Sequence, residues 1–134
     1  MKNLHKFLSP KTSKIRPYLA LFALHNYQLL KDGKFVGNNP SITWYVEQLK
    51  RWKVSGNYYG VRRQLWKMAN AGILQVKHIE RPIATYHLHR KRITSIPHAE
   101  FYVDEKIISE LVRVIKCIFP EMPSKPAIEK RVNH

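Results

Sequence analysis

Two tyrosines and two arginines lie close together in the segment NYYGVRR. An arginine can pair bidentately with guanine, and a tyrosine hydroxyl can bond a phosphate or a base edge. Asn57, Tyr58, Tyr59, Arg62 and Arg63 are therefore predicted to contact nucleic acid. The alternative is an ordinary solvated helix face, because paired arginines are common on protein surfaces.

The charge around this segment favours the nucleic-acid interpretation. Between Ser41 and Ile93 the sequence has eleven lysines and arginines against two acids, Glu47 and Glu80, a net charge of +9. The whole chain has 24 Lys and Arg against 9 Asp and Glu, a formal net charge of +15. An imbalance of this size points to a polyanionic partner, most often nucleic acid and less often an anionic membrane surface.

The cations nearest the segment are predicted to lie along the phosphate backbone. Lys50, Arg51 and Lys53 precede it and would mark a turn, while Lys67 follows it on the same helix. Each phosphate that such a side chain neutralises releases counterions, so affinity should fall steeply as the salt concentration rises.

Three further site residues belong to a predicted β-hairpin. Arg81 is expected at its tip, on the minor groove or the backbone, and Arg90 is expected on the returning strand. His87 is predicted beside His89 on one strand face, with His78 across from them, as a phosphate-facing or solvated surface. A metal site is the alternative, but no nearby carboxylate or cysteine completes a ligand set.

A helix is predicted over 57–71 as the element that carries the tyrosines and arginines. Val61, Leu65 and Met68 recur at helical spacing and would pack inward, with the cationic side chains on the opposite face. Asn57 can cap this helix, and Gly72 suits the left-handed position at its end.

The other elements before the hairpin follow from similar signals. A basic arm over 1–16 precedes a helix over 17–30 that is apolar nearly all round. A short strand is expected around 34–36. The segment Asn39-Pro40-Ser41 predicts the start of a helix over 40–52, which together with the helix over 57–71 forms a helix-turn-helix pattern.

The apolar period changes to two after Gly72, which predicts a hairpin over 73–93. RPIA, which starts at Arg81, would form its turn, and TSIPHAE, which starts at Thr94, would form a loop. Asp104 would cap a last helix over 104–119, followed by a basic tail over 120–134.

This layout resembles a winged helix-turn-helix domain. The pattern V-x-x-x-L-x-x-M-x-x-A-G-I-L, from Val61 to Leu74, is similar to the recognition helix and wing entry of that superfamily. The resemblance covers roughly residues 17–93. The flanking helices resemble those of dimeric MarR-like and PadR-like regulators, and the layout is also similar to replication terminator proteins and to small winged-helix proteins of archaeal viruses and plasmids.

The resemblance implies an α+β winged-helix domain over 17–103, with the helix 57–71 in the major groove of double-stranded DNA and the hairpin on the minor groove or backbone. A transcriptional regulator is the first expectation. An architectural or replication-linked DNA-binding protein without strong sequence preference is the alternative.

A homodimer through the first and last helices is expected. The last helix has apolar residues at 107, 108, 111, 114, 115 and 118, a stripe wider than one helix contact needs, and the first helix is also apolar beyond one face. The alternative is that the two stripes cover each other in a monomer.

Several aromatic residues and the single cysteine are expected to be structural. Trp44, Tyr45 and Trp52 are predicted to pack in the core rather than stack on bases, and Trp66 is expected near the edge, against sugar or the hairpin. Cys117 is predicted to be a buried small hydrophobe.

The sequence argues against several other classes of protein. Scattered carboxylates and the lack of a phosphate loop argue against an enzyme, and no metal or other cofactor is predicted. No apolar run is long enough to span a bilayer, no signal peptide is recognisable, and one cysteine allows no intramolecular disulfide. A cytoplasmic protein without a membrane partner is expected.

Overall fold

The computed structural model describes residues 3–33 and 39–120, with the backbone but not the side chains of residues 81–83, 85, 87 and 94–97. The predicted strand around 34–36 and the predicted tail beyond 120 lie outside these residues. The described part is an α+β fold with one two-stranded antiparallel sheet, so the predicted class is confirmed. Its elements are α1 (Leu4–Phe7), α2 (Arg16–Lys31), α3 (Ile42–Arg51), α4 (Tyr58–Asn70), β1 (Leu74–His87), β2 (Arg90–Val103), a 3₁₀ turn (Glu105–Ile107) and α5 (Ile108–Ile118).

Side-chain caps fix the starts of α3 and α4. The Asn57 Oδ1 accepts the backbone N–H of Gly60 at 2.8 Å, which confirms the predicted cap. The Ser41 Oγ accepts the N–H of Trp44 at 3.2 Å, so α3 begins after Ser41. The predicted start at Pro40 is wrong, because the Pro40 carbonyl instead accepts the N–H of Phe101 in β2 at 2.9 Å.

Both α3 and α4 end with a residue in the left-handed conformation. Lys53 has φ 57° after α3, and Gly72 has φ 84° after α4. In each case the next N–H returns to the last turn, from Val54 to the Leu49 carbonyl at 2.9 Å and from Ile73 to the Met68 carbonyl at 3.0 Å. Glycine adopts this conformation freely, whereas a residue with a side chain loses about 1 kcal/mol.

The hairpin is longer than predicted, and its turn lies elsewhere. Strands β1 and β2 pair from Leu74↔Val103 to His87↔Arg90, so the two-residue turn is Leu88-His89. The predicted tip at Arg81 is wrong, because Arg81 pairs with Ile96 in the middle of the ladder. The predicted loop from Thr94 is also wrong, since residues 94–100 belong to β2.

The two prolines that suggested a turn and a loop occupy positions that a ladder tolerates. The pair closing a two-residue turn is hydrogen-bonded, and bonded and non-bonded pairs alternate from there. Pro82↔Ser95 and Glu80↔Pro97 therefore fall at non-bonded pairs, where the nitrogen faces away from the partner strand. Phe101, paired with Val76, also falls at a non-bonded pair by this alternation. Its N–H accordingly points away from β1, to the Pro40 carbonyl.

The turn residues have unusual backbone geometry. Leu88 has φ 50° and His89 has φ 61°, the left-handed combination that a hairpin turn of this length needs. Asn-Gly is the usual choice for such a turn, because a branched apolar side chain is strained there. The sequence therefore contains no ordinary turn signal at Leu88-His89.

Residues 3–16 pack against the helices, so the predicted free basic arm is wrong. Leu4 and Leu8 are buried, and Arg16 is buried with them. The Arg16 guanidinium donates to the Gln64 Oε1 at 3.0 and 2.8 Å and to the Phe7 carbonyl at 2.9 Å. This contact joins the N-terminal segment to the rear flank of α4.

The core lies between the helices and the near end of the hairpin. Val61, Leu65 and Met68 of α4 are buried together with Leu49 of α3, as predicted. Trp44 and Tyr45 are also buried and Trp52 is partly buried, which confirms their structural role.

The terminal helices α2 and α5 pack on each other within one chain. Leu111, Val114 and Ile115 of α5 are buried, so part of the surplus apolar stripe is covered without a second copy. The predicted burial of Cys117 is wrong, because its side chain is exposed on the outer side of α5. The side chain of Asp104 accepts the N–H of Lys106 at 2.9 Å and caps the turn that leads into α5, as expected.

Candidate nucleic-acid interface

The outer face of α4 carries aromatic and cationic side chains. Tyr59, Arg63 and Lys67 are exposed on the side opposite the buried Val61 and Leu65. Their separation follows from the helical period, since positions four apart share a face. This face has no acidic residue and is open to solvent, so it can approach a polyanion directly.

The flank of α4 that faces the hairpin forms a pocket of about 400 Å³. Tyr58, Arg62 and Trp66 line it from α4, spaced four residues apart, and side chains from α3 and the hairpin complete it. The other lining residues are Ser41, Ile42, Thr43, His78, His98 and Ala99. Arg62 is exposed at the rim, so its guanidinium can serve the pocket or the outer face.

Trp66 attaches α4 to the hairpin. Its ring is stacked on His78 with centroids 6.1 Å apart and meets the Phe101 ring edge-on at 5.2 Å. The predicted position near an edge is confirmed, and its neighbour is the hairpin. Trp66 therefore fixes the direction in which the hairpin leaves the helices.

The N-terminal turn of α4 presents two tyrosines at right angles. The rings of Tyr58 and Tyr59 are 5.6 Å apart at 86°, and both side chains are exposed. Asn57 is also exposed, although its Oδ1 is engaged in capping. Two hydroxyls and one amide nitrogen are thus presented at the N-terminal end of α4.

The turn between α3 and α4 contributes cations unequally. Lys50 and Lys53 are exposed on the surface, and their predicted contact with phosphates stays a prediction. Arg51 is only partly exposed, and its Nη1 is buried without a hydrogen-bond partner among the described residues. Arg51 is therefore less accessible than Lys50 and Lys53, and its predicted contact with a phosphate stays a prediction.

Gly56 allows this turn to lie close to α3. A Cβ at Gly56 would come within 2.8 Å of the Leu49 Cδ1 and 3.6 Å of the Val61 Cγ2. A side chain larger than hydrogen would require the end of the Leu49 side chain to shift within the core. Gly56 therefore lets the turn pack against the buried Leu49 without displacing it.

The far end of the hairpin is exposed and cationic. His89, Arg90, Lys91 and Arg92 are all exposed, and Arg90 closes the turn opposite His87. The predicted side-chain roles of Arg81 and His87 lie outside the described residues. The predicted pairing of histidines is wrong, because His78 lies opposite Ala99, far from the turn.

A buried polar group supports the near end of the hairpin, and sequence reasoning missed it. Glu100 is fully buried and accepts the Tyr102 hydroxyl at 2.6 Å, while the Tyr45 hydroxyl donates to the Phe101 carbonyl at 2.7 Å. Burial raises the pKa of Tyr45, and burial together with the Glu100 carboxyl raises the pKa of Tyr102. Both tyrosines therefore stay protonated and keep donating.

Arg16 was also missed as a residue that acts on α4. Its guanidinium lies 4.1 Å from the centroid of the Phe7 ring, and burial lowers its pKa. The available signal was the spacing of Leu4 and Leu8, which marks one helical face within the supposed arm.

The described residues form neither a metal-binding cluster nor a membrane-spanning helix. No group of three or more His, Cys, Asp or Glu side chains there could hold a metal ion. No helix among them is long and apolar enough to cross a bilayer.

The comparisons with known proteins identify no relative. No family model matches the chain, and neither a curated protein nor a solved structure matches it.

Proposed function

We propose that the chain is a sequence-specific double-stranded DNA-binding protein, with α4 as the helix that reads the major groove. In this proposal α3, α4 and the hairpin form a winged helix-turn-helix unit. The outer face of α4 supports it most strongly, because exposed Tyr59, Arg63 and Lys67 stand on a helix whose opposite face holds the core. A groove about 12 Å wide admits one such helix.

The cations beside α4 extend the proposed contact along the duplex. Lys50 and Lys53 would meet phosphates next to the N-terminal turn of α4, and Arg90 and Lys91 would meet phosphates reached by the hairpin. Phosphate contacts of this kind give affinity and orientation, whereas Arg62 and Arg63 supply specificity through base edges.

We further propose that the protein regulates transcription as a homodimer. The groove between α2 and α5 has a volume of about 490 Å³ and is lined mainly by apolar side chains such as Leu21, Leu24 and Ile108. A two-fold contact there would hold two copies of α4 about 34 Å apart, one turn of the duplex. Size-exclusion chromatography with light scattering tests this, and a monomer at micromolar concentration would refute the dimer.

Selection of binding sites from random duplexes at physiological salt tests the proposed function. A regulator should enrich one motif and bind it at least about 10³-fold more tightly than unrelated DNA. Enrichment should disappear in a protein that carries both Arg62→Ala and Arg63→Ala. A protein that retains no duplex at all would refute DNA binding.

The distribution of cations favours one second function, an architectural or replication-linked DNA-binding protein. Exposed cations also lie on elements other than α4 and the hairpin: Lys6, Lys11 and Lys14 in the N-terminal segment and Arg113 and Lys116 in α5. Cations on several sides suit a protein that coats or bridges duplexes. In that case the selection would retain DNA without enriching a motif.

A further inference from the structure

The end of the hairpin gathers exposed apolar side chains. Tyr86, Leu88 and Ile93 are 73%, 80% and 70% exposed. Single exposed hydrophobic residues are ordinary, but three within one short ribbon end form a patch that marks a contact surface.

The patch continues the face of the ribbon that packs on the helices nearer its base. Tyr86 pairs with Lys91, and Ala84 pairs with Ile93. Both pairs lie an even number of residues along the strands from the pair of Val76 with the buried Phe101, so their side chains lie on the same face of the ribbon. Tyr86 and Ile93 therefore lie on the core-facing side, beyond the part that the helices cover. Leu88 lies further out, in the turn itself.

Leu88 occupies a position that its side chain does not favour. Its φ of 50° is strained for leucine, and Asn or Gly would adopt it readily. A strained apolar side chain that is 80% exposed gains little from packing among the described residues, so it indicates a contact made outside the chain.

The charges around the patch indicate what kind of partner it meets. Residues 81–99 include Arg81, Arg90, Lys91 and Arg92 but no acid. An apolar patch surrounded by cations suits a partner that has a negatively charged surface and an apolar interior. A nucleic-acid duplex with stacked bases and an anionic bilayer both have these properties.

The base of the hairpin favours the duplex. His78 is stacked on Trp66 of α4, so the ribbon leaves the helices beside Arg62 and the outer face of α4. Ten residues separate His78 from Leu88, which at about 3.3 Å per residue gives a reach of roughly 33 Å. That length is sufficient to reach from a major groove that α4 would occupy to the adjacent minor groove.

We propose that Leu88 is an apolar wedge that enters the minor groove, inserts between two base pairs and bends the duplex. Arg90 and Lys91 flank it and hold the phosphates on either side, while Tyr86 and Ile93 cover the opened groove. This inference rests on the double-stranded DNA binding proposed above. Side chains inserted in this way bend duplexes by about 20–90°.

A bending assay on the full chain tests the wedge. The probe is a mixed-sequence duplex of about 30 base pairs, with a fluorescence energy-transfer pair on its ends and 2-aminopurine within it. The unchanged protein should increase energy transfer and brighten 2-aminopurine as the bases unstack. Leu88→Asn, which suits the left-handed turn but lacks the apolar side chain, should lose both signals and bind about tenfold more weakly.

The controls separate the wedge from the turn and from general hydrophobicity. Leu88→Met keeps an apolar side chain of similar size and should retain bending. Leu30→Asn makes the same chemical change at an exposed leucine of α2 and should behave like the unchanged protein. Leu88→Gly relieves the strain in the turn and should repeat the Leu88→Asn result if that variant melts early.

The outcomes distinguish this inference from the proposed function. Binding without bending, or bending that survives in Leu88→Asn, overturns the wedge and leaves DNA binding intact. No binding to any duplex overturns both. Leu88-dependent binding to phosphatidylserine vesicles, with no bent duplex, assigns the patch to a membrane surface and overturns the wedge.

Discussion

The two ends of the hairpin present the same face but differ in what covers it. Near the helices, Leu74, Phe101 and Val103 are 3%, 0% and 5% exposed, whereas Tyr86 and Ile93 on the same face at the far end are 73% and 70% exposed. The register of the two strands continues without a bulge between them. The near end therefore stabilises the fold, and the far end is available for contacts outside the chain.

The same division runs around α4. Its inner face contributes Leu65 and Met68 to the core, while Tyr59 and Arg63 on its outer face touch little of the protein. Substitution of the buried residues should lower the free energy of unfolding, and substitution of the exposed residues should weaken binding. Substitutions in matched pairs can test this division.

Phe101→Ala should give the largest effect on stability. Phe101 is fully buried against Trp66, so its truncation should reduce the free energy of unfolding by about 3–5 kcal/mol. Ile93→Ala, on the same face at the open end, should change it by less than about 0.5 kcal/mol. Urea titrations followed by tryptophan fluorescence measure both, and equal losses would break the comparison.

Arg63→Ala and Arg62→Ala should each weaken binding to a selected site by about 1–3 kcal/mol. Neither side chain contributes to the core, so the melting temperature should stay nearly unchanged. Arg113→Ala removes an exposed arginine from α5 and serves as the matched control. Fluorescence anisotropy with labelled duplex measures the affinities, and equal losses at all three positions would argue against α4 as the reading helix.

Arg90→Ala should lower the affinity for all duplexes alike, because this cation is proposed to meet phosphates rather than bases. The plot of log affinity against log salt should become shallower by about one unit. Titrations of a selected and an unrelated duplex at several salt concentrations measure the slope. A loss confined to the selected duplex would mean that the open end of the hairpin reads sequence.

Lys53→Gly should give the smallest effect and sharpen the comparison most directly. Glycine relieves the left-handed strain, so the free energy of unfolding should rise by up to about 1 kcal/mol, while the proposed loss of a phosphate contact weakens DNA binding. Gly72→Ala, which has the same geometry and open space around it, should instead destabilise the protein. Urea titration and anisotropy together measure the pair. A Lys53→Gly protein that gains stability and binds as before would remove Lys53 from the interface.

Helices α2 to α5 could be predicted from the sequence because their signals are local. The Asn57 cap, the spacing of Val61, Leu65 and Met68, and Gly72 predict α4 to within one residue at each end. The composition of its outer face follows from the same spacing. Which of these cations remain open was less predictable, since the partial burial of Arg51 depends on how the turn packs.

The hairpin turn could not be predicted, because the local signals point elsewhere. Pro82 favours a turn when the sequence alone is considered. A β-ladder nevertheless accepts a proline whose nitrogen faces away from the partner strand, and the register of the two strands determines which way that nitrogen faces. Leu88-His89 has the residue types of a strand, and pairing along both strands imposes its left-handed geometry. The folded position of residues 3–16 was missed for a related reason. The many cations of this segment favoured a free arm, although Leu4 and Leu8 form a short apolar face.

The outward-facing prolines have a consequence for how the ribbon behaves in solution. Both edges of a two-stranded ribbon offer unpaired amide groups to any other extended chain. Pro82 removes such a donor from the free edge of β1, and Pro97 removes one from the free edge of β2. Each edge is therefore interrupted as a template for strand addition, which disfavours edge-to-edge polymerisation of this long and partly apolar hairpin.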